Sequence, residues 1–76
     1  MNNCEHRAKQ ALKNVVVKYD FYLREVEAAK QNKNVLRQHT MEDAAHTHRM
    51  LAENLYYVLT GEVTDKIEVL KEYVGA

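Results

Sequence analysis

Residues 8–29 read AKQALKNVVVKYDFYLREVEAA, and whether this stretch is helix or strand decides the fold. Ala8, Leu12, Val15, Tyr19, Tyr22, Val26 and Ala29 recur at alternating spacings of four and three, the rhythm of one face of an α-helix. A rival pattern lies inside it: Val15, Val17, Tyr19, Phe21 and Leu23 are apolar at every second position and rich in β-branched and aromatic groups, as in a half-buried strand. The flanks decide for helix. They are strong helix formers on both sides, without Gly or Pro at either boundary, and no second run of this kind offers a strand a partner. Val16 and Leu23 widen the seam into a broad apolar face.

Working outward, Asn3 is the candidate N-cap and Glu5 lies near the positive end of the helix dipole. Asp20 is placed to pair with Arg24 one turn on. The polar run Gln31-Asn32-Lys33-Asn34 is where the chain can turn, giving a first helix over about 4–34. A second helix is expected over about 41–60, with Thr40 as hydroxyl cap and Glu42 and Asp43 in its first turn. Its face is Met41, Ala44, His48, Leu51, Leu55 and Val58, with Ala45, Ala52 and Leu59 beside it, and Gly61 closes it. Thr64 is the expected cap of a third helix over about 65–74 with the stripe Val63, Ile67, Leu70 and Val74. This predicts an all-α chain: a long helical hairpin with a short third helix, either continuing as a bent arm or folded back.

A single domain of 76 residues buries only about 60% of its unfolded surface. The one cysteine, Cys4, excludes an internal disulfide, so self-association is the remaining route to a larger core. Two hairpins forming a four-helix bundle would bury both faces, with Leu12, Val15, Tyr19, Tyr22, Val26, His48, Leu51, Leu55 and Val58 as interface residues. A lone thiol and the lack of a signal-like or membrane-spanning apolar run fit a cytoplasmic protein.

Formal net charge is zero, so neither nucleic acid nor anionic membrane is an expected partner. The first 34 residues carry seven Lys/Arg against four Asp/Glu, and the remainder four against seven. The simplest expectation is a basic first helix packed beside acidic later ones.

Little in the chain resembles catalytic machinery. There is no Gly-rich phosphate loop, no CxxC pair and no serine, and neither a cofactor nor a catalytic residue is expected. His39, His46 and His48 lie near Glu42 and Asp43, but one helix face aligns too few of them for a closed metal site, so no metal is expected. His48, on the apolar seam, is expected to bond a neighbour through one ring nitrogen, a tyrosine hydroxyl being one candidate. Tyr56 and Tyr57 are adjacent, so one must face away from a simple hairpin. With Phe21 they form the candidate partner-binding patch.

Ala45-His46-Thr47-His48-Arg49, followed by Asn54-Leu55, resembles the helix around the phospho-accepting histidine of histidine-phosphotransfer domains. The resemblance implies His46 as phosphoryl acceptor and Arg49 as the cation steadying it, within a four-helix bundle that two of these chains would supply. It departs from that family at Met50, where a small residue is usual. The leading expectation is a non-enzymatic helical interaction protein, a regulator, adaptor or antagonist acting as an oligomer on an unidentified protein partner. Its brevity suits the small regulators that phages and mobile elements encode. The alternatives are the phosphotransfer module and a small-ligand binder with a pocket between subunits.

Overall fold

A computed structural model describes residues 3–76 as three helices: α1 (Asn3–Gln31), α2 (Val35–Thr60) and α3 (Ile67–Val74). No strand occurs among the described residues, and Val15 to Leu23 lie within α1. Asn3, the expected cap, is helical and lies within α1. None of the helices is long and apolar enough to cross a membrane.

The turn between α1 and α2 is tighter than expected. Lys33 adopts the left-handed conformation at φ 57°, and its N–H reaches the Lys30 carbonyl while that of Asn34 reaches the Ala29 carbonyl. This pair of bonds closes α1 as a Schellman motif, with a lysine where glycine is usual. Asn34 then caps α2, its side chain accepting from the Arg37 N–H at 3.1 Å. Helix α2 therefore starts six residues before the expected start at Met41. Thr40 caps nothing: it lies inside the helix, where its hydroxyl donates to the Leu36 carbonyl at 2.9 Å. Gly61 ends α2 as expected, at φ 74°, its N–H bonded to the Tyr57 carbonyl.

Helices α1 and α2 run antiparallel, as Arg37 pairing with Glu25 near the turn and the Tyr22 ring against His48 farther along require. The buried residues are Leu12, Val16, Tyr19, Val26 and Ala29 of α1 and Ala45, Ala52 and Tyr56 of α2, with Leu12 and Val16 packed against Ala52 and Tyr56. The seam on α2 is thus rotated by about one residue from the expected one. Small side chains at 45 and 52 let the helices approach closely, and the larger Leu51 and Val58 stay outside the contact, 46% and 75% exposed.

Helix α3 folds back. Five residues at extended reach span about 16 Å, which matches the rise of about eleven helical steps from Arg49 to Thr60. The connection accordingly returns alongside α2 until the Asp65 carbonyl accepts a hydrogen bond from the Arg49 guanidinium. Leu70 and Val74 then bury against Leu12, Val16, Ala52 and Tyr56. Thr64 does not cap α3. Its hydroxyl accepts from the Lys66 N–H at 3.2 Å in a turn before the helix, which starts at Ile67, and Val63 stays outside the stripe, exposed.

The charge expectation is overturned in detail. Among the described residues, the ion pairs that join different helices are Arg37–Glu25 and Lys71–Asp20, at 3.1 and 3.0 Å. Both use acids of the basic helix and bases of the acidic half, and Asp20 pairs with Lys71 rather than Arg24. Of the other bases of α1, Lys9 lies over the Tyr73 ring of α3, 4.6 Å from its centroid, and Lys30 pairs with Glu27 of its own helix.

Candidate functional site

The hairpin presents two sides, and α3 covers part of one. On the side away from α3, helix periodicity aligns Ala8, Val15 and Tyr22 of α1 with His48, Leu51, Leu55 and Val58 of α2. The Tyr22 and His48 rings meet here at 4.9 Å between centroids. At the open end a groove of about 270 Å³ is lined by Cys4, Glu5, Ala8, Val58 and Leu59. His48 is half-buried, and Nδ1 donates to the Ala44 carbonyl at 2.7 Å. Its hydrogen-bond partner is therefore its own helix backbone, and tyrosine enters as a ring rather than a hydroxyl.

Of the expected interface residues, Leu12, Tyr19 and Val26 are already buried within the chain. Val15, Tyr22, His48 and Leu55 are half-buried, and Leu51 and Val58 are exposed. The expected tyrosine patch is divided. Tyr56 is buried, edge-on to Tyr73 of α3 with centroids 5.3 Å apart and its hydroxyl 3.4 Å from Glu62. Tyr57 is 54% exposed and Phe21 46% exposed, but they do not adjoin. Phe21 stacks on Tyr22, which touches His48, and His48 precedes Tyr57 by nine residues, or about 13 Å of helix rise.

On the α3 side, the half of the inter-helix groove nearest the turn is open. This groove of about 560 Å³ has Tyr19, Leu23, Val26 and Ala45 as its apolar lining, with Lys30, Glu27, Glu42, His46 and Arg49 at its rim. His46 and Arg49 do share this site, as the phosphotransfer resemblance requires. Arg49 is otherwise engaged: Nε donates to Glu53 at 3.2 Å and a terminal nitrogen to the Asp65 carbonyl. The Glu53 carboxylate raises the Arg49 pKa, burial opposes this, and Tyr19 adds to the rise. Two glutamates at the rim would repel a phosphoryl group. His39 donates to Glu42 at 3.0 Å, and no cluster of three His, Cys, Asp or Glu among the described residues could hold a metal ion.

The role of Arg49 as a clasp on the α2–α3 connection could not be read from sequence, because its partner is a backbone carbonyl sixteen residues away. The seat of α3 was half visible, since the stripe Ile67, Leu70 and Val74 is periodic. No family model, no curated protein and no solved structure matches this chain.

Proposed function

We propose that this chain is a small, non-enzymatic protein–protein interaction module, a regulator, adaptor or antagonist, that works as a homodimer joined through the side of the hairpin opposite α3. The observation carrying this reading is the run of apolar side chains there, half-buried at Ala8, Val15, Tyr22 and Leu55 and exposed at Leu51 and Val58. None of the seven residues aligned along it is a Lys, Arg, Asp or Glu, and depletion of charge marks the centre of protein interfaces.

Shape supports the same reading. The accessible surface is 5451 Å², against about 4,800 Å² for a compact monomer of this mass. The radius of gyration is 13.9 Å, against about 11.4 Å for a globular domain of this length. The molecule measures 47 × 20 × 17 Å, so one long side offers on the order of 800–900 Å², about what each partner contributes to a standard interface. Two hairpins meeting there would make a four-helix bundle flanked by two copies of α3.

Sedimentation equilibrium tests this. Wild-type protein is expected at twice 8.9 kDa, and Val58→Asp and Leu51→Asp at the monomer mass with helical circular dichroism retained, since both residues are exposed within the chain. A wild-type mass of one chain at every concentration up to about 1 mM, a range that covers even weak pairs, would sink the proposal. The phosphotransfer alternative instead requires acid-labile phosphate on the protein that disappears in His46→Ala. A bound metabolite that survives purification would favour the ligand-binding alternative.

A further inference from the structure

Between His6 and Arg24 the chain carries five Lys/Arg and a single acid, Asp20, a local surplus that zero net charge over the whole chain conceals. Lys9 sits over the Tyr73 ring. The other four, Arg7, Lys13, Lys18 and Arg24, form no ion pair among the described residues. The acids next to them on the helix are committed to other bases: Asp20 to Lys71 of α3, Glu25 to Arg37 of α2, and Glu27 to Lys30. The surplus therefore stands unneutralised.

It surrounds an apolar pair. Lys13, Val17, Phe21 and Arg24, spaced by four, four and three residues, form one ridge along α1, about 16 Å from end to end. The ridge faces away from α2, because the residues α1 buries are Leu12, Val16, Tyr19, Val26 and Ala29. Val17 is 51% exposed and Phe21 46% exposed. The Phe21 ring rests edge-on against Tyr22, 5.4 Å between centroids, which holds it in place and leaves its outer part bare. Single exposed apolar residues are ordinary. Two that adjoin on one ridge, an aromatic among them, with unpaired cations at both ends, have the composition of a contact surface.

That composition selects the occupant. The ends of the ridge call for anions and its centre for an apolar counterpart. A phosphate backbone supplies the first and not the second, whereas an acidic amphipathic helix supplies both. We propose that this ridge docks such a helix of a partner protein, with apolar side chains against Val17 and Phe21 and carboxylates about eleven residues apart to meet Lys13 and Arg24. The proposal rests on the interaction-module reading and names the partner's chemistry. Val15 and Tyr22, on the side assigned to self-association, point elsewhere around α1, so one copy can hold a second copy and a partner helix together.

The test uses the full chain and a labelled alanine-based helical peptide, with glutamates eleven residues apart and leucines four and eight residues after the first of them, followed by fluorescence anisotropy. Saturable binding with a Kd on the order of 100 μM is expected, as suits a contact smaller than a standard interface, and it should weaken at high salt. Phe21→Asp, at an exposed position that leaves the core intact, should cost at least tenfold, as should Lys13→Glu combined with Arg24→Glu. A peptide with lysines in place of the glutamates should bind that double variant and not the wild type. Val58→Asp should leave peptide binding unchanged, and Phe21→Asp should leave the sedimentation mass unchanged, so failure of the homodimer and failure of the ridge are separately visible. No saturable binding, equal binding of the lysine peptide to the wild type, binding indifferent to Phe21→Asp, or tighter binding of a DNA duplex than of the peptide would each overturn the proposal.

Discussion

The two connections in this chain solve the same problem in opposite ways. Between α1 and α2, three residues reverse the chain on local bonds: Asn32, Lys33 and Asn34 donate back into α1, and the Asn34 side chain and carbonyl receive the Arg37 and Gln38 N–H groups of α2. Between α2 and α3, Glu62 to Lys66 form no helix and are held by side chains, one of them distant in the chain. Thr60 accepts from the Glu62 N–H, Thr64 from the Lys66 N–H, and Arg49 holds the Asp65 carbonyl. A turn that is complete in itself fixes an antiparallel pair whatever else happens. A strap held in this way fixes a third helix only if its seat and its clasp are both present.

That contrast can be broken most severely at the seat. Leu70 is fully buried, and Leu70→Ala is expected to cost about 2–5 kcal/mol. Chemical denaturation measures the loss, and hydrogen exchange should show α3 amides unprotected while those around Ala29 and Asn34 keep their protection. Equal loss of protection in all three helices would mean that the turn does not hold the pair by itself. Asn34→Ala removes the only side-chain cap on α2, at about 1 kcal/mol. Its signature is reduced protection at Arg37 and Gln38, with α3 unaffected. The smallest effect is expected from Arg49→Met, which keeps the stem and removes the clasp, for about 0.5–1.5 kcal/mol. Here exchange should quicken at the strap and the first turn of α3, and Glu53→Gln should not reproduce it.

These contrasts also explain which parts of the molecule were legible beforehand. Helix α1, Gly61 and the Ile67-Leu70-Val74 stripe follow from periodicity and from glycine's ease at positive φ, both local properties. The start of α2 was misplaced because Thr40-Met41-Glu42-Asp43 carries the composition of a helix start, while the true one uses a lysine in a conformation that glycine usually supplies. Periodicity also fails to separate two apolar stripes on one helix. Leu51 and Val58 are larger than Ala45 and Ala52 and so looked like core, yet close helix approach selects the alanines. The candidate site suffered most, since the groove near the turn is made by two distant segments in heptad register. His46 and Arg49 could be picked out, but the engagement of Arg49 with the strap could not.

One consequence follows from Asn34 serving both helices. Because the same residue ends one rod and begins the next, neither can unwind there without loosening the other. The ends farthest from it carry no such mutual lock and are held by side-chain packing between the two rods and by α3. Thermal opening of the molecule therefore has a direction, like a zipper whose slider is α3 and whose sewn end is Asn34: α3 leaves first, the free ends part next, and the hinge is the last contact to go.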